Sequence, residues 1–318
     1  MRLKRTLLVL FLVSLFFAFP SASQAQGTQR LYLGTPSRAV SWFPLFVAMK
    51  KGFFQEQGLS PELVLMDPRV AVTALAAKEI PYITVLGSGL SGAGRGLPIK
   101  LIMILGAKSY RVLVARNEIT SVKELRGRTV ATGQVGADPY QDLVMILRRH
   151  DIDPKEVKVL AVGSDMNRVL ALKSRQADAM IAGIGYDLLV EKDGFKPLVY
   201  VKDLMELPIM ALVTHEERIR ERPQEVERVL VAILKGISYT KSNREEMVPM
   251  LKDFVGLEGL EAARKVYEAV KDIWPENGLT SDEGLKNAFS RAGLPASISA
   301  EKIVNWSILK KVTLPTRP

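Results

Sequence analysis

Gly87-Ser88-Gly89-Leu90-Ser91-Gly92 follows an apolar, strand-like run and matches the GxGxxG pattern by which backbone N–H groups cradle a dinucleotide. Its context argues against a nucleotide. The motif closes the third strand-like run of its region rather than the first. About 20 residues on, where an acidic side chain would take a ribose hydroxyl, the chain reads Lys108-Ser109-Tyr110-Arg111. Gly92, Gly94 and Gly96 also weaken the helix that should follow. What survives is that Gly87 lets a ligand approach N–H groups at a helix start, where Ser88 adds a hydroxyl.

Other chemistry is mostly excluded. The chain's two histidines, His150 and His215, have no partner at metal-binding spacing, and His215-Glu216-Glu217 lacks the second His of a zincin helix. There is no Gly-x-Ser-x-Gly elbow and no cysteine, which removes thiolate chemistry, disulfides and a lipidated N-terminal Cys. No metal or cofactor is expected. Arg38, in the loop after the first strand-like run, has the geometry to grip a carboxylate or sulfonate, or it has no ligand role. Asp138-Pro139, opening a helical run, reads as an N-cap with Pro at N1. A carboxylate there partly satisfies the positive helix end, so an anion binds less well than an amine or a neutral molecule. Trp42 and Tyr140 open equivalent helices and either sandwich a flat ligand or belong to the core.

The elements that position these residues run through one plan twice. Strand-like Leu31–Leu33, helical Trp42–Lys51, strand-like Leu63–Leu65, helical Val70–Lys78 and strand-like Tyr82–Leu86 make the first pass. About 98 residues on, Thr129–Ala131, Tyr140–Arg149, Lys158–Val162, Asn167–Ser174 and Ala179–Ala182 repeat it, with Trp42 opposite Tyr140 and Gly87 opposite Gly185. Alternating strands and helices predict βαβ units and two mostly parallel α/β sheets, each ending its strands in small polar loops. A ligand cleft belongs between those strand ends. Tyr110–Ala115 and Ile209–Val213 are expected to cross between the lobes. Lobe one is therefore 28–108 plus 209–318, and lobe two is 109–208. From His215 onward amphipathic helices (Glu225–Ser242, Glu245–Phe254, Leu260–Ile273, Asp282–Ala292) are expected to pack outside lobe one.

Arg2, Lys4 and Arg5, the apolar run Leu7–Phe19 and Ser23-Gln24-Ala25 form a secretory leader, residues 1–25, expected to be cleaved after Ala25. The rival, a membrane anchor, has only about 13 apolar residues where roughly 20 are needed. An exported chain without cysteine fits a soluble protein of the periplasm. The net charge of +10 comes from basic residues interleaved with acidic ones, without a basic–aromatic stripe, so nucleic acid is not expected as a partner.

Val47-Ala48-Met49-Lys50-Lys51-Gly52-Phe53-Phe54-Gln55-Glu56-Gln57-Gly58-Leu59 resembles a signature of the periplasmic substrate-binding proteins of ABC importers. The branch is the nitrate, sulfonate, taurine and thiamine-pyrimidine-precursor type. Gly96-Leu97-Pro98-Ile99-Lys100, Ser121 to Ala131 and Ala177-Asp178-Ala179 extend the resemblance over about residues 28–310. The resemblance implies a type II two-lobed clamshell with two crossing segments. It would be a monomer that closes on a small-molecule ligand and presents it to an inner-membrane permease. By the same resemblance, ligand contacts fall to Ser37, Arg38, Trp42, Gly87, Ser88, Tyr110, Gln134, Asp138, Gly183 and Tyr186. Where sulfonate binders carry Ser or Thr at the second lobe's helix start, this chain has Gln134-Val135-Gly136-Ala137-Asp138, which argues away from sulfonate and nitrate. Two other readings share the fold: a thiamine-pyrimidine-synthesising enzyme, which calls for Cys and His that this chain does not offer, and a periplasmic ligand sensor.

Overall fold

The computed structural model describes residues 28–36 and 39–312. The expected leader, and Ser37 and Arg38, lie outside the described residues.

Two five-stranded sheets carry the described chain. In the first, β1 (Gln29–Thr35) runs parallel to β2 (Leu59–Leu65) on one side and β3 (Tyr82–Thr84) on the other. β4 (Ile99–Gly106) closes that sheet. The second has the same plan: β6 (Thr129–Thr132) lies between β7 (Lys158–Ala161) and β8 (Ala179–Gly183), and β9 (Phe195–Tyr200) is the far edge. Each sheet has one antiparallel strand beside its far edge. β5 (Arg111–Arg116) enters the second sheet between β8 and β9, and β10 (Met210–His215) returns to the first between β3 and β4. The resulting orders, β2-β1-β3-β10-β4 and β7-β6-β8-β5-β9, are one topology used twice, which is why the sequence pattern recurs. Strands β8 and β10 are buried along their whole length, as sheets covered by helices on both faces require.

Among the described residues, twelve α-helices cover the sheets: α1 (Phe43–Lys50), α2 (Pro68–Ala76), α3 (Gly87–Gly94), α4 (Asp138–Arg149), α5 (Asp165–Lys173), α6 (Leu188–Glu191), α7 (Val201–Leu204), α8 (Glu216–Glu221), α9 (Pro223–Ser242), α10 (Arg244–Val255), α11 (Leu260–Val270) and α12 (Asp282–Arg291). None of them is long and apolar enough to cross a membrane.

Two expectations need correction. Composition predicts a weakened helix over the glycine-rich stretch, yet α3 forms over Gly87–Gly94. Gly92 and Gly94 face packed side chains: a Cβ on Gly92 would sit 2.9 Å from Val72 Cγ1, and one on Gly94 2.4 Å from Leu294 Cδ2. They trade propensity for close approach to α2 and the segment after α12. The C-terminal helices also do more than cover lobe one. α9 does pack on α1, so closely that a Cβ on Gly236 would lie 2.4 Å from Pro44 O. α11 and the chain joining it to α10 instead reach the second lobe, where Val266 and Leu257 lie against Gly185. One apolar cluster consequently joins Val226, Tyr267 and Trp274 to Val169, Met180 and Ile184 across both lobes.

Candidate functional site

The loops that follow β1 and β8, and the start of α5 just beyond β7, converge on one cavity of about 370 Å³. From lobe one it takes Ala39 and Val40. Lobe two contributes Asp165, Met166 and Gly183 to Tyr186. Tyr110 of the first crossing and the Phe254–Leu257 stretch at the end of α10 complete the wall. Larger hollows lie further out, about 750 Å³ between α6, β9 and α11, about 570 Å³ beside α8 and the start of α9, and about 550 Å³ between α4 and α12. None of the three sits at the carboxyl ends of the parallel strands of both sheets, where open α/β folds bind ligands.

Local chemistry fixes the lobe-two wall. Ser164 caps α5, its hydroxyl accepting from Asn167 N–H at 3.2 Å, so Asp165 falls in the helix's first turn. Asp165 Oδ1 accepts the Gly183 N–H at 2.9 Å and also pairs with Arg168, a side chain almost wholly buried. The strand-end loop of β8 is thereby stapled to α5. Gly183 lets the Tyr110 ring close on it, since an added Cβ would be 3.3 Å from Tyr110 Cε2. Gly185, at φ +107°, turns the chain so that Tyr186 faces the cavity. Asp187 then accepts from Gly185 N–H at 2.7 Å and from Tyr200 Oη at 3.3 Å. Burial, and next the charge of Asp165, push the Tyr186 hydroxyl above its ordinary range, so it stays a neutral phenol near neutral pH. The cavity is walled by Tyr110, Tyr186, Phe254 and Met166, and among the described residues Asp165 is the one carboxylate lining it. That set suits a flat molecule with polar edges.

The structure brings together Tyr110, Gly183 and Tyr186 from the residues named by the sequence. Gly87 is exposed at the start of α3, with nothing described within 4 Å of where a Cβ would lie. Ser88 Oγ is buried without a partner among the described residues, as is Thr132 Oγ1 at the end of β6. Gln134 is exposed, its carbonyl accepting from Ala137 N–H at 2.9 Å. Ser37 and Arg38 lie outside the described residues; Ala39 and Val40, which follow them, line the cavity.

Trp42 does not line it. The indole is 1% exposed and donates to Thr84 Oγ1 at 2.9 Å, inside lobe one, so no sandwich with Tyr140 forms. Asp138 is not an N-cap either. Ala137 occupies that position, Asp138 is the first residue of α4, and its carboxylate makes no capping bond. It lies instead 3.2 Å from Arg291 and 3.7 Å from Arg111. Sequence reasoning missed Asp165 and the end of α10. Asp165 had a signal, because the internal repeat sets it opposite Asp67, the N-cap of α2. The α10 end had none, being brought in by packing alone. Among the described residues no group of three or more His, Cys, Asp or Glu is placed to hold a metal ion.

Residues 40–247 match the family described as NMT1/THI5 like. The chain is 22% identical over 262 residues to the riboflavin-binding protein RibY of Chloroflexus aurantiacus, covering 77% of this chain and 72% of that one. It is 22% identical over 312 residues to the formylaminopyrimidine-binding protein of Halalkalibacterium halodurans, covering 94% and 90%. Among solved structures it superposes on the periplasmic aliphatic sulphonate binding protein SsuA of Escherichia coli with a TM-score of 0.71 at 14% identity, covering 89% of this chain and 99% of the other. The chain belongs to the NMT1/THI5-like family and has the two-lobed periplasmic-binding-protein fold.

Proposed function

We propose that this NMT1/THI5-like protein is the solute-binding component of an ABC import system, capturing a small, flat, polar-edged molecule between its lobes and delivering it to a membrane permease. One observation carries this reading: the cavity at the facing strand ends is walled by Tyr110, Tyr186 and Phe254 and has Asp165 as its lining carboxylate. Aromatic faces favour a planar ring, and the Asp165 carboxylate, already paired with Arg168 through one oxygen, accepts an N–H of the solute. Relatives named for binding riboflavin and a formylaminopyrimidine are in keeping with that choice. Gly87, Ser88, Gln134, Ser37 and Arg38 remain proposed contacts. Residues 28–108 with 209–318, and residues 109–208, are the proposed moving lobes. The ligand bridges them and shifts an open–closed equilibrium toward the form that engages the permease. Export by the N-terminal leader would place the protein in the periplasm as a monomer.

Native mass spectrometry of gently purified mature protein tests the reading. A bound mass that leaves on mild denaturation identifies the solute. An empty protein that also fails to shift its melting temperature with pyrimidines, flavins, aromatic acids or amines rejects the aromatic-solute assignment.

A further inference from the structure

α12 is fastened to three parts of the molecule. Its apolar face, Leu285, Ala288 and Phe289, packs into the core of lobe one. The turn before it is tied to the second crossing, where Glu206 accepts from Thr280 Oγ1 at 2.5 Å, Ser281 N–H at 2.9 Å and Ser281 Oγ at 2.6 Å. At its last residue Arg291 reaches lobe two. One guanidinium nitrogen lies 2.5 Å from Asp142 Oδ1, and another donates to the Asp138 carbonyl at 2.7 Å and the Asp138 carboxylate at 3.2 Å. Asp142 is wholly buried, and its other oxygen is held at 3.1 Å by Arg111 of β5, in its own lobe.

We propose that Arg291 is the positioning residue for lobe closure, a latch between α12 and the start of α4 that holds the two lobes over the cavity. Among the described residues one other ion pair joins the lobes, Lys265 with Glu191 at 3.3 Å, and both of its side chains are about half exposed. A pair so open to water contributes little to closure. The Arg291 contacts are of another kind: charge-assisted, several from one guanidinium, and made to a carboxylate out of reach of solvent. A buried carboxylate stripped of all its partners would make opening prohibitive. Arg111 prevents that, because it stays with Asp142 when Arg291 leaves. Opening therefore gives up the interlobe bonds without stranding a charge, which is what a two-state element needs. Glu206 holds the other end of α12 close to the second crossing.

The biological purpose of the latch rests on the solute-binding reading, but closure itself is measurable without any ligand. The chain has no cysteine, so Thr73→Cys on α2 and Lys155→Cys in lobe two accept a dye pair in an otherwise unlabelled background. Single-molecule energy transfer on the ligand-free protein, with small-angle scattering of the same samples, reads the closed-to-open ratio. Arg291→Gln is expected to move that ratio toward open by about tenfold. Asp138→Asn, at an exposed carboxylate, should move it the same way and less, and Arg291→Lys should recover part of the loss. Raising sodium chloride should open the wild type more than Arg291→Gln. The same ratio in wild type, Arg291→Gln and Asp138→Asn, all with cooperative melts, overturns the proposal. If Arg291→Gln does not fold, Arg291→Lys and Asp138→Asn decide it, and the wild-type ratio in both overturns the proposal. An empty protein by mass spectrometry would count against the solute-binding reading and leave this result standing; an unchanged ratio would do the reverse.

Discussion

At the residue scale the strand-end rule located part of the cavity wall and misplaced its most prominent aromatic. Tyr110, Gly183 and Tyr186 were named through the family resemblance, which puts contacts in strand-end loops, and all three line the cavity. Trp42 satisfies the same positional rule, but a 3-10 turn over Val40–Trp42 precedes α1, and the indole turns inward to Thr84. Position along the chain does not fix side-chain direction. The two cases separate by mutation. Tyr186→Ala should weaken binding of the co-purified aromatic solute by about tenfold, as lost stacking on a ring predicts, while leaving the melt nearly unchanged. Trp42→Phe should leave affinity unchanged and cost about 1 kcal/mol of stability, because it strips the indole donor from a buried Thr84 hydroxyl. Titration calorimetry with urea unfolding reads both. A Trp42→Phe protein that is stable yet binds poorly would put the indole back in the site.

At the element scale the helices and strands were largely visible in apolar periodicity, and what packing demanded of them was not. The glycines of α3 and α9 are examples, since each is set by a neighbouring element distant in sequence. Gly236→Ala should destabilise the protein by about 1–3 kcal/mol, because its Cβ would meet Pro44 O at 2.4 Å and Ala48 Cβ at 2.7 Å where α9 crosses α1. A denaturation midpoint equal to that of wild type would show that α9 can back away. The short helix α8 is absent from the periodicity because its six residues carry one apolar side chain, Ile219, and it is capped by a histidine. His215 Nδ1 accepts the Glu217 N–H at 3.1 Å, a bond that only the neutral ring can make. Burial, and then the nearby charge of Lys78, lower its pKa from an ordinary 6.5. The unfolded chain therefore binds a proton that the folded one refuses, and stability falls as pH drops below 6.5 through the lowered value. Above 6.5 this residue contributes no slope. His215→Asn keeps a capping acceptor and removes the ionisation, so the difference in urea midpoint between about pH 7.5 and about pH 5.5 should shrink in the variant. An unchanged difference would assign the pH dependence to other groups.

At the scale of the whole molecule, the two sheets meet through an apolar cluster on the α10–α11 side and through the Arg291 contacts on the α12 side, with the cavity in the cleft between the lobes. A solute that fills the cavity adds contacts to both lobes. At a hundredfold excess over its Kd it should stabilise the protein by about 2.7 kcal/mol and reduce the radius of gyration in solution. Stabilisation without contraction would mean that the molecule binds one lobe and leaves closure alone. The two-lobed α/β plan followed from sequence alone because strand and helix periods, and an internal repeat of them, are local properties written along the chain. Exclusion of thiol chemistry was as direct, since it needs only the absence of cysteine. Only the tertiary structure could place Asp138 in an ion cluster with Arg111 and Arg291, bring Phe254 to the cavity and bury Trp42. Each depends on contacts between segments far apart in sequence, and neither residue type nor spacing encodes which of them will meet.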